Sequence, residues 1–466
     1  MRWHSTRLAS LSRLVGLSTV VGTATVLLFG CEQNPPHPSP SLTASVATDT
    51  KPAAPPTPAG SALSSAPAIR EPLNVLFLTV DSLRADMPWT GYPRPIAPNL
   101  SELAKTGVIY SNAYSVASYT AKSVAVMLSG RYPSSLYRTG QFFTGYSDAN
   151  LFVTELFQQA SVHTLGGHAH LYFDRGKNLN QGFDVWEMVK GLTFDAETDN
   201  HVTSDKLTDL AISLLGNTQH TTGRFFAWFH YMDPHDQYVK HAETPDFGKK
   251  NRDRYDSEVH YTDQHIGRLL QFVKGQPWWS KTAIILSADH GEAFGEHGMY
   301  KHAFEVWEVL TRVPLVVAAP GVTARTIEAR RSHIDLAATF ADLLNVPLPA
   351  GTTPGRSLVP ELYGAPADNR EPIVLDLPED SNNPRRRAII KDDYKLIVAD
   401  QGADQLFNLR EDPEEKINLA GSHADRLKAM RALLDDTWSQ IPQITPFGGA
   451  TLKSGRKANG PSKPAQ

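Results

Sequence analysis

Three apolar runs, each cut off by an acidic residue, limit what this chain can fold into. Residues 74–80 read NVLFLTV and are followed by Asp81. Residues 225–232 read FFAWFHYM and are followed by Asp233, Pro234 and His235. Residues 283–286, inside TAIILSADHGEAFGEHGMYKH (282–302), lead into Asp289, His290 and Gly291. Short runs that are apolar throughout suit strands buried on both faces, as in a parallel sheet. TRVPLVVAAP, residues 311–320, reads as one more. Between them lie helical patterns. Residues 203–215 carry Leu207, Leu210, Ala211, Leu214 and Leu215 on one face, residues 255–273 form a longer helix, and 335–344 a shorter one. The alternation predicts an α/β/α sandwich with a mixed, mostly parallel central sheet. After Pro347 the spacing changes. Residues 372–377 and 387–399 read as strands of a small antiparallel sheet, and 424–439 as a helix, predicting a small C-terminal α+β subdomain.

In open α/β sheets, sites are built beyond the carboxyl ends of the strands. Asp289 and His290 stand there, and so does Asp81. A hard carboxylate beside an imidazole suits one divalent cation, Mn²⁺, Mg²⁺, Ca²⁺ or Zn²⁺, and two such strand ends could share it. His235 holds the equivalent place after its own strand, where an imidazole suits protonation of a leaving oxygen; a turn histidine after Pro234 is the plainer alternative. Residues 115–133, SVASYTAKSVAVMLSGRYP, predict a helix starting near Thr120 and stopping at Gly130. Thr120 is then either an N-cap or a nucleophile activated by a neighbouring metal or base. His168 and His170, in HTLGGHAH, read as surface histidines with a possible substrate contact. Glu292 reads as a partner that could orient His290.

The ends of the chain differ from its body. Arg2, Arg7 and Arg13 precede an uncharged run to Gly30 and then Cys31. This has the layout of a secretory leader and resembles a bacterial lipoprotein signal (residues 1–30) cleaved before a lipidated Cys31; the alternative is a retained signal anchor. Cys31 is the single cysteine, so no intrachain disulfide can form. Residues 31–72 are Pro-, Ser- and Ala-rich and read as a tether, and 443–466 as a disordered tail. The folded body is expected over 73–345 and the subdomain over 346–442. Without residues 1–30 the chain carries 42 basic and 49 acidic side chains, a balance of −7, which does not suggest a nucleic-acid partner. The localisation expected is the cell envelope, anchored on the extracytoplasmic side of a bacterial membrane, in the periplasm or at the cell surface.

NVLFLTVDSLRAD, the segment ending SGRYP, FFAWFHYMDPHDQY, YDSEVHYTDQHIGRLL and SADHGEAFGEHGMYKH occur in that order. Together they resemble the sulfatase family of the alkaline phosphatase superfamily. The resemblance runs over residues 74–320 and resumes at 388–420. It implies that Asp81, Asp289 and His290 bind the metal and that Thr120 is the nucleophile. It also implies that Lys122, His235 and His302 contact the substrate's oxyanion or the leaving group. Two positions depart from the family pattern. A second Asp often follows Asp81, and here it is Ser82. Sulfatases carry Cys or Ser at the nucleophile, in the pattern C/S-x-P/A-x-R, and oxidise it to formylglycine; here the window is Thr120-Ala121-Lys122-Ser123-Val124. Threonine cannot give that aldehyde. It resembles relatives acting on phosphorus, such as phosphoethanolamine and phosphoglycerol transferases. The expected function is therefore a metal-dependent hydrolase or transferase of phosphoester or phosphonate bonds, acting on a small-molecule, glycan or lipid ester. The alternatives are a sulfuric ester hydrolase working without formylglycine, and a non-catalytic glycan- or lipid-binding surface lipoprotein.

Overall fold

A computed structural model describes residues 71–192 and 202–464. The expected leader, Cys31 and all of the tether except Glu71 and Pro72 lie outside the described residues.

The central sheet is built on β1 (Asn74–Val80). In chain order the other strands are β2 (Val108–Tyr110), β3 (His163–His168), β4 (Val185–Met188), β5 (Phe225–Tyr231), β6 (Thr282–Ala288), β7 (Leu315–Ala318) and β8 (Arg325–Ile327). Across the sheet they run β8-β2-β7-β6-β1-β5-β3-β4. β7 is antiparallel to both its neighbours and the remaining pairs are parallel. The sheet is thus mixed and mostly parallel, as expected. The strand at 311–320 is shorter than its apolar run, because Glu308–Thr311 closes a helical turn first.

Helices cover both faces. α1 (Pro98–Ala104), α3 (Ser204–Gly216) and α4 (Asn251–Lys274) pack together on one side, and α2 (Thr120–Ser129) packs with α5 (Leu336–Leu343) on the other. Phe77 of β1 and Phe226 of β5 both meet the ring of Phe340 in α5, at 4.8 and 5.2 Å. Side chains alternate along a strand, so Thr79 and then Asp81 follow Phe77 onto the α2/α5 face. A second, antiparallel sheet, β9 (Ile373–Leu377), β10 (Arg386–Lys391), β11 (Tyr394–Ala399) and β12 (Gln405–Asn408), is covered by α6 (Ala424–Ser439). Among the described residues no helix is long and apolar enough to cross a membrane.

Residues 443–464, read from composition as a tail without structure, lie against the body. Phe447 N donates to Arg138 O (2.9 Å), Gly140 N to Phe447 O (3.1 Å) and Lys453 N to Asp380 O (2.8 Å). Leu452 and Ala458 are buried. The segment is held by backbone bonds to other loops, which leave no periodic pattern in its side chains.

Candidate metal and nucleophile site

The parallel register assembles the site. Val80 of β1 pairs with Tyr231 of β5 and Ala288 of β6. One residue further on, Asp81 and Asp289 therefore leave adjacent strand ends side by side, on the same face. Asp81, Asp289 and His290 each offer a ligand atom, and these atoms all lie within 4.8 Å of one another, fully buried. Nδ1–H of His290 donates to Gly291 O (3.0 Å), which leaves Nε2 as the lone-pair nitrogen facing the cluster. Thr120 Oγ1 lies 3.1 Å from this Nε2 and 3.2 Å from Asp81 Oδ2. Thr120 opens α2; Lys122 N and Ser123 N donate to Tyr119 O, while the amides of Thr120 and Ala121 have no partner within the helix and favour negative charge in front of them. The helix start is pinned by Ser123 Oγ on Asp289 O (2.6 Å) and by Tyr146 OH on Ala121 O (3.0 Å).

Ser82 stands where a further acid is common in the resembling family, and it links the two carboxylates. Its amide donates to Asp289 Oδ1 (3.1 Å) and its hydroxyl to Asp81 Oδ1 (2.7 Å). It does so at φ 57°, a left-handed conformation that costs a non-glycine residue about 1–3 kcal/mol.

The donor set fits a cation. Asp289 Oδ2 is buried without a hydrogen-bond partner, an arrangement that buried carboxylates avoid unless a positive group completes it. The electrostatics agree. Burial pushes Asp289 up, and the Asp81 charge pushes it further. Burial also acts upward on Asp81, but the hydrogen bond from His230 and the nearby His235 and His290 outweigh it, holding that carboxylate well below its usual range. His290 is lowered to about 3 by burial and by His302, so its neutral form is available as a ligand.

His302 and His235 border the cluster. The ring of His302 lies 4.3 Å from His290 and 5.0 Å from His235. His302 Nδ1 is 3.2 Å from Glu292 Oε1 and 3.4 Å from Ser82 Oγ. His235 is half-buried, with Nδ1–H on Asp236 O (2.8 Å).

Other expected residues have the following surroundings. Lys122, expected beside an oxyanion, has its ammonium 2.6 Å from Asp380 Oδ2 and 4.6 Å from the Tyr119 ring centroid, buried from solvent. One residue past the first helical position but one, its side chain leaves α2 in a different direction from Thr120. Glu292 engages His302 and not His290, whose Nδ1 is taken by Gly291 O. His168 is a buried residue, its ring among Phe173 (5.3 Å) and Trp186 (5.0 Å). His170 is half-buried and stacked on Tyr172 at 4.0 Å.

His230 was missed. It sits inside the apolar run of β5, paired with Thr79, and reaches Asp81 Oδ2 at 3.3 Å through Nε2. Trp228 Nε1 donates to Thr79 Oγ1 (2.9 Å), so the threonine hydroxyl is free to donate to His230 Nδ1 (2.7 Å), and Nε2 keeps the proton that faces Asp81. A histidine at a strand position of the same parity as a terminal Asp was the available signal.

Two family profiles match the chain: sulfatase over residues 73–346, and the C-terminal region of N-sulphoglucosamine sulphohydrolase over 295–440. A choline-sulfatase of Rhizobium meliloti is 29% identical over 198 residues, which are 41% of this chain and 38% of that protein. An ulvan-active sulfatase of Formosa agariphila is 25% identical over 398 residues, 75% of this chain and 77% of that protein. Among solved structures, a phosphonate monoester hydrolase of Agrobacterium radiobacter shares the fold with a TM-score of 0.65 at 17% identity, covering 79% of this chain and 96% of that one. With the sulfatase profile spanning more than half of its residues, the chain belongs to the sulfatase family of the alkaline phosphatase superfamily.

Proposed function

We propose that the chain hydrolyses, or transfers from, a phosphoester or phosphonate ester, with Thr120 as the nucleophile. The observation that carries this reading is the position of Thr120 Oγ1, 3.1 and 3.2 Å from atoms of two candidate metal ligands, at a helix start and with no Cys or Ser in its place. A divalent cation held by Asp81, Asp289 and His290 would supply Lewis acidity and lower the pKa of a bound hydroxyl. The Thr120 hydroxyl has one proton to give to Asp81 Oδ2 or His290 Nε2, and the two atoms together aim its oxygen. As that oxygen attacks phosphorus in line, its proton passes to the acceptor it bonds, the bond to the alcohol breaks, and a phosphothreonine forms. The unpaired amides at the start of α2 hold the equatorial oxygens. Burial raises Glu292 to about 7, so its carboxyl can give a proton to His302 Nδ1; the neutral ring then carries its hydrogen on Nε2 and passes it to the leaving alkoxide as Nδ1 takes the proton of Glu292, with His235 beside it. Water or an acceptor alcohol then attacks phosphorus and releases Thr120. A sulfothreonine would need attack at sulfur, because threonine has no aldehyde form through which to expel sulfate. We further propose that Cys31 is lipidated and that residues 31–72 tether the enzyme on the extracytoplasmic side of a membrane.

A second reading, sulfate ester hydrolysis without formylglycine, is favoured by the relatives, several of which are named as sulfatases. The deciding experiment is a panel of p-nitrophenyl sulfate, phosphate, phosphodiester and phosphonate monoester with Mn²⁺, run on the wild type and Thr120→Ala. Thr120-dependent turnover of a phosphorus ester supports the first reading. Turnover of the sulfate alone replaces it with the second.

A further inference from the structure

The aromatic side chains next to the nucleophile form a feature that the reaction chemistry does not use. Tyr119, immediately before Thr120, packs on Phe142 at 4.4 Å between ring centroids. Phe142 stacks on Phe304 at 6.2 Å with 14° between the planes. In the other direction Phe143 meets Tyr172 at 4.7 Å, and Tyr172 stacks on His170 at 4.0 Å. His170 lies 6.4 Å from His235, which borders His302. Phe304 is two residues from His302, so the series of rings closes on the site. Phe304 is 47% exposed, and Phe142, Phe143 and Tyr172 are half-buried. Three separate segments therefore hold ring faces partly in water in a series that reaches Tyr119, the residue before the nucleophile, and covering those faces is favourable.

The loop carrying Phe142 and Phe143 rests on the C-terminal segment, beyond residue 440 where the second family match ends. Besides its bonds to Phe447, Gly140 lies so close to that segment that a Cβ there would sit 2.5 Å from Ala458 Cβ and 2.8 Å from Leu452 Cδ2. The segment in turn is tied through Lys453 N to Asp380, the partner of Lys122.

We infer that this ring series is the subsite for the alcohol half of the substrate, and that it selects an ester whose alcohol carries a flat apolar ring. The inference rests on Thr120 being the attacking residue. A planar apolar ring covers a phenylalanine face over its whole area, whereas a sugar meets it only through the C–H groups of one side, so the flat ring buries more apolar surface there. Residues 443–460 act as a positioning element that sets the Phe142 loop against Phe304.

The test compares kcat/KM for benzyl and methyl phosphates, whose alcohols have similar acidity, so that their ratio reports binding of the ring. Choline phosphate and a sugar phosphate serve as competitors, and the full-length protein is used. The wild type is expected to favour benzyl over methyl by about tenfold, and Phe142→Ala or Phe304→Ala to cut that ratio by about three- to tenfold. Leu452→Ala is expected to cut the same ratio by a smaller factor, through KM, whereas a purely structural role would lower both substrates together. Equal use of benzyl and methyl, an unchanged ratio in the phenylalanine variants, or preference for the choline or sugar ester overturns the inference. If the phosphates are inert and the matching sulfates are turned over, the phosphorus reading falls, and the benzyl-to-methyl ratio measured on the sulfates still decides the subsite.

Discussion

Two buried clusters of charge in this chain hold similar residues and resolve them differently. Near the C-terminal sheet, Lys395 lies between Glu308 and Glu415, its Nζ 3.0 and 2.9 Å from their carboxylates, all three buried. At the end of the central sheet, Asp81 and Asp289 are as deeply buried, yet among the described residues no lysine or arginine pairs with either. Their neighbours are imidazoles, and burial keeps His290 and His302 neutral at ordinary pH. Both clusters place two carboxylates out of water, which is costly unless a cation compensates. The first cluster carries its own ammonium and is complete, so its role is to join the 308 and 415 loops to β11. The second has the carboxylates and a lone-pair nitrogen but no resident cation. An internal counter-charge completes the first cluster, and the second, with an Oδ2 of Asp289 left without a partner, fits a cation.

The comparison can be broken or sharpened by mutation. The largest effect is expected from Thr120→Ala, which should lower kcat by about 10³-fold or more in the substrate panel while leaving metal content by elemental analysis unchanged. Lys395→Met should follow, destabilising the fold by about 3–5 kcal/mol in denaturant unfolding, because it strands two buried glutamates. Asp289→Asn is the converse. It should reduce bound metal and activity together, yet leave the metal-free protein at least as stable as the wild type, since it removes one of two facing carboxylates. A metal-free variant that is several kcal/mol less stable would dissolve the distinction between the clusters.

The smallest effect is one of pH. Burial raises Glu415 to about 7, and the Glu308 charge adds to this, against the pull of Lys395. Its folded pKa thus lies above the unfolded value near 4.5, so the contribution to stability is whole below that value and fades as pH rises through 7. Glu415→Gln should remove a slope of at most about 1.4 kcal/mol per pH unit between pH 5 and 7. An identical pH profile in the variant would place the charge sharing elsewhere in the cluster.

The legible part of the site was the part that ends strands. Asp81, Asp289 and His290 each follow an apolar run, and the habit of α/β sheets to build at carboxyl ends put them together before any register was known. Thr120 was legible as a helix start. His230 was not, because a histidine inside FFAWFHYM reads as core until β5 is set beside β1 and Thr79 becomes its neighbour. The same limit applies to Glu292. Its nearness to His290 in sequence suggested one partner, and the turn through Gly291 supplied a backbone carbonyl to His290 and left Glu292 to His302.

By itself the sequence determined the long apolar strands β1, β5 and β6 and the main helices, because burial periodicity and turn chemistry act over a few residues, whereas the short strands β2, β3, β4 and β8 carried no such pattern. It also determined which chemical groups stand at strand ends. Tertiary structure alone decided who meets whom. Lys122 found Asp380, 258 residues away. The C-terminal segment found the Phe142 loop through backbone bonds that composition does not encode. Rings from three segments converged in one series that reaches Tyr119. Such contacts depend on cross-strand register and on loop paths, which the whole packed chain sets and no local pattern specifies.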